Sequence, residues 1–205
     1  MEKEILNLFL TKNKLKFSEI EKFLKIRSNK LDYHLKKLID KKIVEKNKDY
    51  YSLAESSEHL IPYLSDKKSV LPVILILIGN KNRAFLFNRE KRPYKNLLSL
   101  PGGRILLGEN INDAVKRIMK EKHKINADFT KINSISLEHI IKNKKVFHSF
   151  LLILVTAKTK DKIKFTEIKK NKNKIIKSDY KLIKEDCNKE IRMKKIISKS
   201  VDNQG

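Results

Sequence analysis

Two glycines, two carboxylates and an arginine stand at fixed intervals in the stretch LPGGRILLGENINDAVKRIMKEKHKI, residues 100–125. In a helix, positions 118, 121 and 122 share one face, because side chains three and four apart are neighbours. Three carboxylates there would form a hard-oxygen site for Mg²⁺. This chain instead puts Ile118, Glu121 and Lys122 on that face. One carboxylate beside an ammonium is a poor divalent site, since the fixed cation opposes the metal and too few oxygens remain to replace its water. The chemistry that survives is anion binding. A Gly102-Gly103 turn and the N-terminus of the following helix can offer backbone N–H groups, and Arg89, Arg104 and Lys122 can add charge. A blander reading is also open: Ile111, Ala114, Val115 and Ile118 form an apolar stripe at helical spacing, and the glycines merely make a turn.

The stretch resembles the Nudix signature of pyrophosphate hydrolases, which runs Gly, five residues, Glu, seven residues, then Arg-Glu-apolar-x-Glu-Glu-x-Gly-apolar. Gly103, Glu109, Arg117, Met119, Glu121 and Ile125 fall in register, whereas Ile118, Lys122 and Lys124 replace two glutamates and the closing glycine. The resemblance implies an α/β/α sandwich with a mixed sheet, and an effector cleft drawing on Arg89, Gly102, Gly103, Arg104, Glu109, Glu121 and Lys122. Because the departures fall on metal-binding positions, it also implies a non-catalytic domain with no catalytic residue, no metal ligand and no cofactor. The alternative is an active hydrolase with an unusual metal site that uses Glu109, Glu121 and a carboxylate such as Glu138.

Residues outside the box supply the frame. Val70 to Ile78 is an apolar β-rich run, Gly79 to Asn82 a turn, and Ala84 to Phe87 a returning strand. Asn110 is a candidate N-cap, Asp113 favours the helix start, and Val146 to Thr156 is another apolar strand. Residues 158–199 carry 16 basic and 6 acidic side chains, with Phe165, Ile168, Ile175, Ile176, Tyr180, Leu182 and Ile183 among them. That segment resembles the last strand and closing helix of a Nudix domain.

The first 65 residues predict a helical unit that ends in a hairpin. Ile5, Leu6, Phe9 and Leu10 give one helix. Ser18 with Glu21 reads as a capping box for a second, which buries Ile20, Phe23 and Leu24. Leu31, Leu35 and Leu38 stripe a third. Ile43 to Glu45 and Tyr50 to Leu53 are strands, joined by a turn over Lys46 to Asp49. Residues 28–53 resemble the recognition helix and wing of small winged helix-turn-helix regulators of the arsenic-repressor class, through His34, Leu35, Leu38, Ile43, Val44, Tyr51 and Leu53. The resemblance places the third helix in a major groove: Asn29 and Lys30 contact bases, while Tyr33, Lys36, Lys37, Lys46 and Lys48 position phosphates. His34, between the two faces, is either a contact or a partly buried structural histidine. Asp32 departs from the Ser or Thr common there and is placed to orient Lys36. A protein-binding winged helix is the alternative use of the segment.

Composition narrows the setting. Among 205 residues the formal net charge is +24, and residues 67–205 hold 34 Lys+Arg against 13 Asp+Glu. A polyanionic partner fits that balance, although an A/T-biased genome rich in Lys, Ile and Asn codons would produce much of it. Cys187 is alone, so no internal disulfide framework exists and a cytoplasmic setting fits. No apolar run is long enough for a membrane span. The expected organisation is therefore an α+β winged helix-turn-helix domain over 1–65, a linker at 66–69, a Nudix-like α/β/α sandwich over 70–200 and a frayed tail at 201–205. The expected function is a homodimeric transcription regulator that binds double-stranded DNA and senses a small anionic effector resembling a nucleotide or sugar phosphate. Alternatives are the hydrolase above and an RNA-associated basic protein.

Overall fold

The computed structural model describes residues 1–57, 69–92 and 94–198. Most of the expected linker and all of the expected tail lie outside these residues. The chain divides into two compact units, residues 1–69 and 70–205.

The first unit contains α1 (Glu2–Leu8), β1 (Leu15–Lys16), α2 (Phe17–Leu24), α3 (Ser28–Asp40), β2 (Val44–Asn47) and β3 (Tyr50–Leu53). Its sheet has the antiparallel order β1-β3-β2. The apolar stripes meet in one core of Ile5, Leu6, Phe9, Leu15, Ile20, Leu31, Leu35, Leu38, Val44, Tyr51 and Leu53. Two expectations fail here. Leu10 and Phe23 are exposed, and the Lys12 ammonium lies 4.4 Å from the centre of the Phe23 ring. The Ser18/Glu21 box does not form, because α2 begins at Phe17 and the Lys16 N–H donates to Glu19 at 2.7 Å. Glu21 instead accepts from the Ser28 hydroxyl at the start of α3.

The second unit is built on a mixed four-stranded sheet of order β8-β4-β10-β9, where β4 is Leu71–Leu77, β8 Gly102–Gly103, β9 Asp128–Lys142 and β10 Lys145–Lys158. β4 and β10 run parallel, while the outer pairs are antiparallel. A strand covered on both faces must be apolar throughout, which is why β4 reads as an unbroken run. Alternate residues serve two cores. Ile74 and Ile76 pack with Ile111, Ala114, Val115, Ile118 and Met119 of α4 (Ile111–His123). Leu75 and Leu77 pack with Leu182, Ile183 and Cys187 at α5 (Lys177–Asp186). This is an α/β/α sandwich with a mixed sheet. Asn110 caps α4 by accepting from the Asp113 N–H at 3.0 Å.

The expected returning strand over 84–87 is instead two short pieces, β5 (Arg83–Ala84) and β6 (Phe87–Asn88). β5 pairs with β11 (Thr166–Glu167) and β6 with β7 (Leu98–Ser99). β9 has no counterpart among the expected elements. With β10 it forms a long ribbon that outruns β4 and leaves Ile141, Val146 and Phe147 exposed. Fully buried Asn133 fastens α5 to this sheet: its amide donates to the Cys187 carbonyl at 2.7 Å while its oxygen accepts from Thr156 at 2.8 Å.

Candidate functional site

A cleft of about 560 Å³ opens in the second unit, a size that suits a small-molecule ligand. Its apolar wall comes from β4 and β10 through Leu71, Val73, Leu75 and Phe150. Its charged rim holds Arg89, Lys91, Arg104 and Lys122, opposed by the single carboxylate of Glu90. Among the described lining residues four cations stand against one carboxylate, a balance that attracts phosphates or carboxylates.

The box residues divide sharply between scaffold and rim. Gly102 and Gly103 form β8 rather than a free turn, and they pair with Leu75 and Ile74. A β-carbon on Gly102 would lie 2.7 Å from the Ile74 carbonyl oxygen, so glycine is needed for the strand to approach. The turn expected to present free N–H groups is therefore corrected to a paired strand. The N-terminus of α4 is capped by Asn110 and does not line the cleft. What β8 contributes is a carbonyl: Gly102 accepts from the Lys122 ammonium at 2.6 Å.

Glu109 and Glu121 are likewise not on the cleft wall. Glu109 accepts from Arg117 through both oxygens, and one of them also accepts from the Leu106 N–H at 2.9 Å. These bonds hold its carboxyl below the usual range, the Arg117 contact contributing most. Glu121 extends into solvent, with one oxygen 3.7 Å from Arg117. Ile118 is fully buried, with its side chain 3.0 Å from where a Gly103 β-carbon would sit.

Nudix-type chemistry implies a divalent cation, and these residues do not fit one. Glu109 is committed to Arg117, Glu138 sits with Tyr94 in a side pocket, and Lys122 points a fixed positive charge at β8. Among the described residues no group of three or more His, Cys, Asp or Glu is placed to hold a metal. The alternative set of Glu109, Glu121 and Glu138 is thus not assembled.

Two features of the cleft escaped the sequence reading. His123 lines it and packs its ring against Phe85 and Phe87, with centroids 5.7 and 4.8 Å away. Burial, then the neighbouring Lys122, lowers its pKa and favours the neutral ring. Beside the cleft lies a pocket of about 90 Å³ that includes Tyr94, Glu138 and Asp179. Asp179 is buried and accepts from the Leu100 N–H at 2.7 Å and the Ser99 hydroxyl at 3.0 Å. Desolvation pushes its pKa up to about 6 despite those bonds. The Tyr94 hydroxyl donates to Glu138 at 3.3 Å, and burial raises its pKa to about 12. The sequence signal available was an acid at the third position of an otherwise amphipathic helix, a position usually read as dipole compensation.

In the first unit, Asn29, Lys30, Lys46 and Lys48 are exposed, and Tyr33 is 62% exposed. The Lys46 ammonium lies 5.4 Å from the Tyr51 ring centre, and Lys48 has φ +54° at the hairpin tip. Asp32 holds Lys36 at 2.8 Å. Lys37 is committed elsewhere: its ammonium reaches Glu2 of α1 at 2.8 Å, beside Lys41 at 2.9 Å and the His34 Nδ1 at 3.8 Å. His34 and Lys37 thus face α1, not only outward.

Residues 68–175 match the family model for the Nudix domain. The chain belongs to the Nudix family. Membership overturns the expectation of a non-catalytic domain. Similar solved structures include a Nudix hydrolase from Nitrosomonas europaea, at 17% identity over 58% of this chain and 70% of that one, with a TM-score of 0.47. The Nudix domain of Shewanella oneidensis NrtR complexed with ADP ribose is 14% identical over 64% of this chain and 95% of that one, also at 0.47. A bifunctional NMN adenylyltransferase/ADP ribose pyrophosphatase from Francisella tularensis is 16% identical over 80% and 50%, at 0.44. No curated protein matches the chain.

Proposed function

We propose that the Nudix unit takes a small molecule bearing a phosphoanhydride and hydrolyses it. The carrying observation is the cleft rim, where Arg89, Lys91, Arg104 and Lys122 face a single carboxylate. Such a rim gathers phosphoryl oxygens and offsets the charge that develops on them during P–O cleavage. The apolar wall of Leu71, Val73 and Phe150 receives the uncharged part of the molecule. Glu90, the carboxylate among the described lining residues, is the candidate on this reading to accept the proton of an attacking water. Turnover of ADP-ribose, nucleoside triphosphates and dinucleotides, with Mg²⁺ or Mn²⁺ supplied, tests the reading. Cleavage of at least one of them, reduced 100-fold or more in Glu90→Gln, is expected; absence of cleavage across the panel counts against hydrolysis.

A second reading concerns the first unit. Its order of helix, strand, two helices and hairpin supports a winged helix, and the exposed Asn29, Lys30 and Tyr33 on α3 support contact with duplex DNA. On this reading the chain is a transcription regulator whose DNA binding answers to the ligand of the Nudix unit, and it pairs as a homodimer on two half-sites. Mobility-shift titrations of the full chain on genomic DNA fragments, with sedimentation of the complex, test both points. Identical affinity for every fragment would remove operator recognition, and a monomer on every bound fragment would remove the dimer.

A further inference from the structure

We infer that the cleft binds its phosphate-bearing ligand without a divalent cation, with the Lys122 ammonium as the built-in counter-charge. The inference rests on the cleft assignment made above and specifies what neutralises the anion there.

The positions that would have to supply a metal site are each used for something else. Ile118 belongs to the core beneath β8, so its position offers methyl groups to Gly103 rather than oxygens to the cleft. Glu109 is neutralised by Arg117, whose guanidinium also donates to the Arg104 carbonyl at 3.0 Å and so braces the loop between β8 and α4. Lys122 takes the third position. Its ammonium donates to Gly102 at 2.6 Å, which holds the charge on the cleft wall.

The surroundings of that ammonium are repulsive without a ligand. Partial desolvation, then Arg117, Lys91 and Arg89, lower the Lys122 pKa, while Glu121 opposes them. Lys122, Lys91 and Arg89 all line the cleft, so an anion bound there offsets the mutual repulsion of these like charges. A second positive ion would meet the same repulsion, whereas an anion relieves it. Glu90 on the wall and Glu121 beside Lys122 stand among a larger number of bases, while Glu138 and Asp179 lie in the side pocket that Arg89 also lines. Lysine also binds phosphate as a point charge and needs no fixed coordination geometry, so one side chain can replace an ion that would otherwise need several oxygens.

Calorimetry of the full chain with inorganic pyrophosphate tests the inference, because that probe is the charged part alone. Expected are binding in EDTA at least as tight as in Mg²⁺, no heat with Mg²⁺ alone, and no Mn²⁺ broadening of the His123 ring resonances. Lys122→Met, confirmed folded by its unfolding temperature, should weaken binding in EDTA by roughly tenfold or more. Lys116→Met removes the same charge from α4 away from the cleft and should change binding less than twofold at moderate salt. Binding that needs Mg²⁺, or that Lys122→Met leaves unchanged, overturns the built-in cation but preserves the cleft. Absence of binding in both media overturns the cleft assignment and the inference together. Equal losses in Lys122→Met and Lys116→Met identify a general polyanion effect of the +24 chain and overturn the specific role.

Discussion

Arg117 grips Glu109 with two nitrogens, Nε to one carboxylate oxygen at 2.6 Å and Nη2 to the other at 2.8 Å. The pair joins α4 to the loop that precedes it, and the Leu106 N–H adds a third bond to the same carboxylate. Removing either partner leaves the other with unmet hydrogen bonds at a largely buried site. Glu109→Gln or Arg117→Ala should each cost about 2 kcal/mol in urea denaturation. The double substitution should cost clearly less than the two combined, which a double-mutant cycle reads directly.

Ile118→Glu is expected to destabilise the second unit by about 3–5 kcal/mol, since an acid would enter a fully buried site without a partner. The obvious repair of the box, restoring glutamate at 118 and 122 together, should therefore lower the unfolding midpoint before any gain in metal affinity appears. Equal stability of the repaired and parental chains would show that the α4 face can turn toward the cleft.

Asp179 carries a raised pKa in the folded chain, about 6 against an ordinary 3.8. The folded state then holds the proton more tightly than the unfolded one, so this group's contribution to stability falls as pH rises from about 4 to 6 and is level above that. The drop attributable to it is up to about 3 kcal/mol. Chemical denaturation of the parental chain and Asp179→Asn across that window should show the difference between them shifting with pH, and a constant difference would refute the shift.

On DNA, Lys30→Ala and Tyr33→Ala should weaken binding to a preferred duplex, whereas Lys48→Ala should weaken all duplexes alike and flatten the salt slope by ~1. Lys37→Ala should behave differently, because its ammonium is paired with Glu2: thermal stability of the first unit should fall along with affinity. Anisotropy titrations over a salt series, paired with thermal unfolding, separate the two behaviours.

Much of this fold was legible because periodicity and caps are local signals. The stripe of Leu31, Leu35 and Leu38 and the Asn110 cap both stand where the sequence puts them. Phe23 misled because helical spacing says which residues share a face, and here an exposed aromatic took a lysine partner, Lys12, from another segment. The Gly102-Gly103 pair misled for a related reason: glycine tolerates turns, but it also permits close backbone approach, and only the neighbouring β4 decides which. Asp179 and Ser99, 80 positions apart, meet by tertiary packing alone and leave no local trace. Lys122 was legible as a charge, but its bond to Gly102 was not.

The parallel pairing of β4 with β10 sets Leu75 against Leu154, across most of the second unit. Translation at about 5–20 residues per second delivers the later strand some 4–16 s after the earlier one. Throughout that interval a seven-residue apolar ribbon leaves the ribosome without its central neighbour, and the long-range pairing then pays a loop-closure penalty. Yield from cells should accordingly respond to growth temperature and to chaperones that hold nascent apolar strands, even when the finished protein unfolds at an ordinary temperature.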